Sequence, residues 1–413
     1  MSLTEKLKPS YEGYSFVSIP GSIEKLFGLP KKEGPVFPDD CFIDPDKQYD
    51  NVLIFVLDAF GWRFFNEHKD KSLHLKEFSK RALAKKLTTQ FPSTTPACMT
   101  TLNTGLTVGE HGLFAQKMFS KAAGEIIAPF LFSDSKSKTR DLLLSKGITP
   151  EDVYGKHVTI AKRLKEKGIK SYVLQSNTYT PSCFANFIFD GASPLPFSDM
   201  DDAFAQLRKL VLSGSKERRY IYTYFDILDR TSHAYGPQSQ EVGSVIDRLF
   251  SEINQIAQLA KALPNTTITI VSDHGQIEVD PQKTVYIDRE LPGLADFFST
   301  DQYANLLVPA GSPRCMFLHL KENAASHVQS MLERRLKGVA EIVSTKDLID
   351  QEFFGKVVST KLIESIGDIA ILPVKNNTVW WYGNGAYEMK YKGNHGGLTS
   401  AEIETVWLQY DLA

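Results

Sequence analysis

The chain has 413 residues, 42% of them hydrophobic, which excludes a disordered or fibrous protein and provides for a large core. Its 47 Lys and Arg residues nearly balance 49 Asp and Glu residues, for a net charge of -2. That balance excludes a broad basic surface for a nucleic-acid polymer and a polybasic membrane anchor. The four cysteines include no Cys-x-x-Cys pair, so neither a disulfide framework nor a cysteine zinc site is expected.

The N-terminal residues lack the apolar stretch of about 7–15 residues that a secretory signal requires, and no run approaches a membrane span. We therefore expect a cytoplasmic protein with no membrane partner, or a periplasmic or secreted one if a native leader has been lost. Residues 1–47 are rich in Pro, Gly and charge, which predicts an irregular N-terminal extension lying over the body.

Periodic structure begins at Asn51, where an unbroken apolar run over 51–57 predicts a strand buried on both faces. Similar strands are predicted at 171–175, 220–225 and 266–272, with helical patterns at 158–168, 200–213 and 238–262. The alternation predicts an α/β fold with a mostly parallel central sheet and helices on both faces. Ligands of such sheets bind beyond the carboxyl ends of the strands.

The pattern loosens after about residue 280, and we interpret 285–365 as a lid or insertion within a catalytic domain over 48–413. The position of this segment between two polar motifs predicts that it forms a wall of the cleft and supplies no metal ligand. Tyr303 and Arg314 are its expected rim residues.

Polar residues follow several predicted strands, or lie in turns, where they would share one sheet edge. They are Asp58, Asp229, His233, Asp273, His274 and His395. Any one of the aspartates could simply cap a helix or form a turn. Together, three carboxylates and three imidazoles suit zinc, or a related divalent ion such as manganese.

A candidate nucleophile lies in the segment 91–105, which reads as a turn followed by a helix that begins at Thr94 or Thr95. A hydroxyl at that position meets unpaired backbone N–H groups and the positive end of the helix dipole. The alternative is that Ser93, Thr94 or Thr95 only caps the helix.

The order of these motifs resembles the type I nucleotide pyrophosphatase/phosphodiesterases of the alkaline phosphatase superfamily, from about residue 50 to the C-terminus. The motifs are Asp58, the Thr94-Thr95 helix start leading to Thr104-Gly105 and His111-Gly112, Asp229 with His233 and Gly236-Pro237, Asp273-His274-Gly275, and His395-Gly396. The resemblance implies an alkaline-phosphatase-like fold. It also implies that the nucleophile is Thr95, nine residues before Thr104, with Thr94 as the lesser candidate.

The resemblance further implies two divalent metal ions, most simply zinc, with manganese as an alternative. One ion would be held by Asp229, His233 and His395, and the other by Asp58, Asp273, His274 and the Thr95 oxygen. The implied activity is two-metal, in-line hydrolysis of phosphodiester or nucleotide pyrophosphate bonds in a small-molecule phosphate ester, through a phosphothreonine on Thr95.

The same resemblance implies that Gln116 binds a phosphate oxygen and that Tyr224 lines the substrate slot. Pro96 stands where many nucleotide-cleaving members carry an aromatic residue, which puts base stacking there in doubt.

Other activities are less well supported. A phosphonate hydrolase that cleaves a carbon–phosphorus bond stays open, because the same metals and threonine would serve it. A phosphomonoesterase of the alkaline phosphatase type is disfavoured, since 92–105 lacks a serine with an adjacent arginine. A sulfatase and a P-loop kinase or ATPase lack their signatures. A non-catalytic binding protein would not need all seven ligand positions to be filled.

Overall fold

The computed structural model describes residues 7–30, 34–213 and 217–412. Its strands are β1 (Asn51–Leu57), β2 (Leu83–Thr88), β3 (Met118–Ser120), β4 (Glu125–Ala128), β5 (Ser133–Asp134), β6 (Lys170–Ser176), β7 (Ser193–Phe197), β8 (Arg219–Phe225), β9 (Thr266–Val271), β10 (Ile277–Glu278), β11 (Val285–Tyr286), β12 (Ala310–Ser312), β13 (Cys315–Leu318), β14 (Ala340–Ser344), β15 (Ile369–Pro373), β16 (Val379–Trp380), β17 (Gly393–Asn394) and β18 (Glu404–Asp411).

The α-helices are α1 (Ile19–Leu26), α2 (Trp62–His68), α3 (Leu73–Ser79), α4 (Thr95–Thr104), α5 (Val108–His111), α6 (Leu142–Ser145), α7 (Pro150–Tyr154), α8 (Ile160–Glu166), α9 (Cys183–Ile188), α10 (Met200–Leu212), α11 (Ile227–Tyr235), α12 (Gln240–Ala260), α13 (Ile287–Glu290), α14 (Ala325–Arg335), α15 (Thr345–Asp350), α16 (Thr360–Ser365) and α17 (Ser400–Ile403). Among the described residues, no helix is both long and apolar enough to cross a bilayer.

Seven strands form the central sheet in the order β2-β18-β9-β1-β8-β6-β7. The neighbours β9, β1, β8, β6 and β7 all run parallel, and β18 runs antiparallel to both β9 and β2. The predicted mostly parallel sheet is therefore confirmed.

Alternate side chains of β1 enter two different hydrophobic cores, one on each face of the sheet. Val52, Ile54 and Val56 belong to the first core, and Leu53, Phe55 and Leu57 belong to the second. The first core also takes side chains from α1, α4 and α8, and the second takes them from α10 and α12. Helices on both faces explain why the strand is an unbroken apolar run rather than an alternating one.

The N-terminal segment differs from the irregular extension that was expected. Ile19–Leu26 is a helix whose buried side chains Ile19 and Ile23 lie one turn apart and pack into the first core. The flanking Pro and Gly residues obscured this short apolar spacing. Residues 1–6 and 31–33 of the expected extension lie outside the described part of the chain.

The region expected as a lid contains a four-stranded antiparallel sheet in the order β12-β13-β15-β14. The sheet takes a strand from Ile369–Pro373, so this unit continues past residue 365. Met316 and Leu318 pack toward α14, whereas Phe317 packs against Phe114 of the main body, with 5.1 Å between ring centroids. The small sheet is thus a packed layer beside the main body.

Candidate active site

The predicted site residues converge at the carboxyl edge of the parallel sheet. Asp58 follows β1, Asp273 and His274 follow β9, and α11 follows β8. Asp229 lies on the first turn of α11 and His233 one turn later, and His395 follows β17. Because parallel strands end at the same edge, these separate segments bring their side chains to one place.

The first cluster consists of Asp58, Asp273 and His274, with Thr95 beside it. The Nε2 atom of His274 lies 3.5 Å from Oδ1 of Asp58, 3.2 Å from Oδ2 of Asp273 and 3.3 Å from Oγ1 of Thr95. All four side chains are buried, with Thr95 only 5% exposed.

The second cluster is built around Asp229, whose ligand atom lies close to those of His274 and His395. The Nε2 atom of His233 is 3.4 Å from Oδ2 of Asp229, and Nε2 of His395 is 3.8 Å from Oδ1. Both predicted ligand sets therefore meet in one region, and His274 lies near both sets.

Each of the three histidines has its Nδ1 atom on a backbone carbonyl. The distances are 3.0 Å from His274 to Gly275, 2.7 Å from His233 to Gly393 and 2.9 Å from His395 to Ser93. A neutral imidazole that donates from Nδ1 carries a lone pair on Nε2. In this tautomer the Nε2 lone pairs face the carboxylate oxygens. Both groups are hydrogen-bond acceptors and repel each other, and a cation bound between them would remove this repulsion.

Burial favours the uncharged form of Asp58, Asp273, His274 and His395. It raises the pKa of Asp58, with repulsion from Asp273 as a second cause, and it raises the pKa of Asp273 to about 6. It lowers the pKa of His274 to about 4 and that of His395 to about 3. The His274 and His395 imidazoles are therefore neutral at pH 7, the form in which a histidine can bind a metal, and a bound cation would stabilise the two carboxylates.

Orphaned buried oxygens fit the same interpretation. Oδ1 of Asp58 and Oδ2 of Asp273 have no hydrogen-bond partner among the described residues. Leaving such atoms unpaired costs free energy unless a ligand satisfies them. Carboxylate oxygens and imidazole nitrogens are the donor set of catalytic zinc sites, and the residues present fit a divalent ion.

The three hydroxyls at the start of α4 have different environments. Thr94 donates its hydroxyl to the Phe114 carbonyl at 2.8 Å, and Ser93 donates to the Gly397 carbonyl at 2.8 Å. Thr95 is the first residue of the helix, and its hydroxyl faces His274 instead. Of the three, Thr95 presents its oxygen to the Asp/His clusters.

Gln116 and Tyr224 both line the cleft in front of Thr95. Gln116 is exposed there. The hydroxyl of Tyr224 donates a hydrogen bond to Oδ2 of Asp58, so this tyrosine also holds a carboxylate of the first cluster.

The cleft has two parts that share Gln116, Lys117, Asp229 and Arg230. One part is a cavity of about 430 Å³ beside Asp58 and Thr95, which we call the apolar chamber. The apolar part of its wall includes Met99, Phe130, Phe184, Ile188, Phe189 and Tyr222, and its polar lining residues include Arg140, Gln175 and Asp226. The other part, which we call the open basin, has about 960 Å³ and is bordered by His233, His395, Trp380, Tyr387 and Tyr391.

Gln276 is a residue of the site that the sequence analysis missed. The Gln276 amide donates to the Asp229 carboxylate, and its position directly after the Asp-His-Gly motif was the available signal. Arg314 is fully buried rather than at the rim, because its guanidinium pairs with the Glu402 carboxylate. Tyr303 is 71% exposed.

A mostly parallel sheet with two Asp/His clusters at its carboxyl edge is the arrangement expected of an alkaline-phosphatase-like fold, and the clusters form a candidate metal centre. The family model described as type I phosphodiesterase / nucleotide pyrophosphatase matches residues 52–398. The chain therefore belongs to the type I phosphodiesterase/nucleotide pyrophosphatase family, as the motifs predicted, and it is a hydrolase of that type.

Similar solved structures include human ectonucleotide pyrophosphatase/phosphodiesterase 5, with a TM-score of 0.65, and its murine counterpart, with a TM-score of 0.63. An inactive variant of the murine protein in complex with AMP gives 0.64. Each is 17% identical, and each match covers 87% of this chain and 87% of the other. At this identity the likeness concerns the fold.

Proposed function

We propose that this protein hydrolyses phosphodiester or nucleotide pyrophosphate bonds by a two-metal, in-line mechanism, with Thr95 as the nucleophile. The observation that carries the proposal is the position of the Thr95 oxygen, 3.3 Å from the His274 Nε2 atom, which two buried carboxylates also face. A hydroxyl that only caps a helix would not need an imidazole and two buried carboxylates beside it.

Two divalent ions, zinc or manganese, fit the two ligand sets. Asp58, Asp273, His274 and the Thr95 oxygen would hold one ion, and Asp229, His233 and His395 would hold the other. When bound, the ions supply the positive charge that stabilises the Thr95 alkoxide and the oxygen of the leaving group.

The proposed reaction has two successive displacement steps at phosphorus, and Thr95 takes part in both. The Thr95 hydroxyl loses its proton to solvent, and its oxygen forms a bond to phosphorus while the ester or anhydride bond opposite it breaks and the leaving oxygen takes the bonding electrons. Water then loses a proton and forms a bond to phosphorus from the side that the leaving group has vacated, and the Thr95–phosphorus bond breaks so that the Thr95 oxygen takes up a proton again. The exposed Gln116 amide can donate to a phosphate oxygen during both steps.

The two parts of the cleft suit the two substituents of a diester. The apolar chamber lies beside the nucleophile and would hold the group that stays on phosphorus. The open basin lies beside His233 and His395 and would hold the leaving group. Because apolar side chains form a large part of the chamber's wall, we expect the retained group to contribute through burial of apolar surface.

Charge favours a diester over a monoester. Two dications against three carboxylates leave about one positive charge for the substrate. Of the cations that line the cleft, Arg230 lies 3.1 Å from the Asp226 carboxylate, and Lys117 donates to the Ser135 carbonyl at 2.8 Å. A monoanionic diester therefore suits the site better than a dianionic monoester.

The direct test combines metal analysis with two chromogenic substrates. Protein purified without chelator should contain close to two divalent ions per chain, and chelation should abolish turnover until zinc or manganese is restored. The value of kcat/KM should be higher for bis(4-nitrophenyl) phosphate than for 4-nitrophenyl phosphate. Protein that refuses both metals, or a clear monoester preference, would contradict the proposal.

A further inference from the structure

A fully buried ion pair connects the small antiparallel sheet to the segment that carries His395. Arg314 lies in the turn between β12 and β13, and Glu402 lies on α17. Two parallel hydrogen bonds of 2.9 Å join the guanidinium to the carboxylate, and the guanidinium also donates to the Asn377 carbonyl. Both side chains are 0% exposed. Because two charges lose their hydration on burial, such a pair is weak evidence for stability by itself.

The remaining contacts of the Glu402 carboxylate all go to the turn after His395. Oε1 accepts from the Gly397 backbone N–H at 2.9 Å, and Oε2 accepts from the Thr399 hydroxyl at 2.7 Å. A Cβ on Gly397 would lie 2.8 Å from the carboxylate, so the turn is packed directly against it. Arg314 therefore fixes the acceptor on which the turn rests.

The opposite side of the turn is held by the nucleophile segment and by β12. Ser93 donates to the Gly397 carbonyl and accepts from the Gly396 N–H, while its own carbonyl takes Nδ1 of His395. Ser312 of β12 donates to the His395 carbonyl at 3.3 Å. Gly396 has φ +116, and a Cβ there would lie 2.3 Å from the Ser312 hydroxyl. The His395 backbone is thus held between the small sheet and Ser93.

We propose that Arg314 and Glu402 are positioning residues that aim Nε2 of His395 at Asp229. The small sheet is then part of the support of the second ligand set as well as a wall of the cleft. This inference rests on the proposed function, because the readout is metal binding by Asp229, His233 and His395.

The chain offers a matched control for the key substitution. Arg163 joins α8 to α1 by an ion pair of 2.6 Å with Glu24, and neither residue lines the chamber or the basin. Arg314→Lys and Arg163→Lys each retain the charge and lose the planar fork of the guanidinium. Only the first change acts on the His395 turn.

In the experiment, full-length protein that has been freed of metal by chelation is titrated with Zn²⁺ in the presence of a competing chromophoric chelator. The unaltered protein should show two binding steps, and His395→Ala should identify which step belongs to the second ligand set. Arg314→Lys should weaken that same step by roughly 10–100-fold, as substitutions behind metal-binding histidines do, and leave the other step within about twofold. Arg163→Lys should leave both steps unchanged. If Arg314→Lys does not fold, Glu402→Gln replaces it, with the same expectation.

Four outcomes would overturn the inference. Unchanged metal affinity with a lowered melting temperature would make the pair purely structural. Equal weakening of both steps would indicate general loosening of the site. Fewer than two steps in the unaltered protein would reject the proposed two-metal function and this inference with it, whereas a normal unaltered protein with a normal Arg314→Lys titration would reject the inference alone.

Discussion

The imidazole rings of His274 and His395 stack with 3.7 Å between their centroids and 13° between their planes. The two rings come from separate segments of the chain. The Gly275 carbonyl holds Nδ1 of His274, and the Ser93 carbonyl holds Nδ1 of His395. Ser93 is two residues before Thr95, so the segment that carries the proposed nucleophile also orients His395, a proposed ligand of the second set. The register of the helix start and the geometry of both ligand sets are therefore coupled.

The different environments of the Thr94 and Thr95 hydroxyls predict opposite effects of their substitution. Thr95→Ala should remove turnover of bis(4-nitrophenyl) phosphate and leave the urea midpoint close to that of the unaltered protein. Thr94→Ala should retain most turnover but lose about 0.5–2 kcal/mol of stability, because it removes a buried hydrogen bond to the Phe114 carbonyl. Thr95→Ser should keep part of the activity. Inactive Thr94→Ala with active Thr95→Ala would show that the nucleophile lies one residue earlier.

The two-part cleft predicts that one substitution alters selectivity for the retained group alone. Ala185 of α9 lines the chamber, and Ala185→Phe would place an aromatic ring in that space. We expect kcat/KM to fall more than about tenfold for phenyl 4-nitrophenyl phosphate and to stay within about threefold for methyl 4-nitrophenyl phosphate, since even one misfitting methylene in an apolar pocket is worth about 1–3 kcal/mol.

The matched comparison for this prediction is Tyr387→Ala on the basin side. It should alter discrimination among leaving groups while the phenyl-to-methyl ratio stays close to that of the unaltered protein. A smaller phenyl-to-methyl ratio in Tyr387→Ala, with no change in Ala185→Phe, would reverse the assignment of the two spaces.

The environment of His319, which directly follows β13, predicts a specific sensitivity of stability to acid. It is 7% exposed, its Nε2 has no partner among the described residues, and burial lowers its pKa to about 4. A histidine with a depressed folded-state pKa contributes stability above its unfolded pKa of about 6.5, and this contribution is lost as the pH falls toward 4.

Between pH 7.5 and 5, chelated His319→Phe should therefore lose about 1–2 kcal/mol less stability than the unaltered protein in urea unfolding. His327→Gln, at an exposed position of α14, should follow the unaltered protein. Identical pH dependence in His319→Phe and the unaltered protein would contradict burial of a neutral imidazole at this position.

Much of the central fold could be predicted because buried parallel strands are continuous apolar runs. The runs at 51–57, 220–225 and 266–272 correspond closely to β1, β8 and β9, and the polar residues after them meet at one edge. The edge strand β2 was not predicted, since its sequence Leu-Ala-Lys-Lys-Leu-Thr is half polar and acquires strand structure by pairing with β18.

The support of the site was harder to predict than its candidate ligands. Arg314 appeared to be a rim residue because nothing near it in the chain indicates that Glu402, 88 positions later, would meet it in the interior. The role of Tyr224 as a donor to Asp58 likewise depends on the parallel register of β1 and β8. Partners of this kind are set by tertiary packing and leave no local pattern.

The most direct test of the central claim is the identification of the covalent intermediate. Metal-loaded protein is mixed with bis(4-nitrophenyl) phosphate, quenched in acid within the first turnover, digested and analysed by mass spectrometry. The account predicts a 4-nitrophenyl phosphoryl group on Thr95, and no such group in Thr95→Ala treated in the same way. A modification on Thr94 or on any other residue, or full turnover by Thr95→Ala, would contradict it.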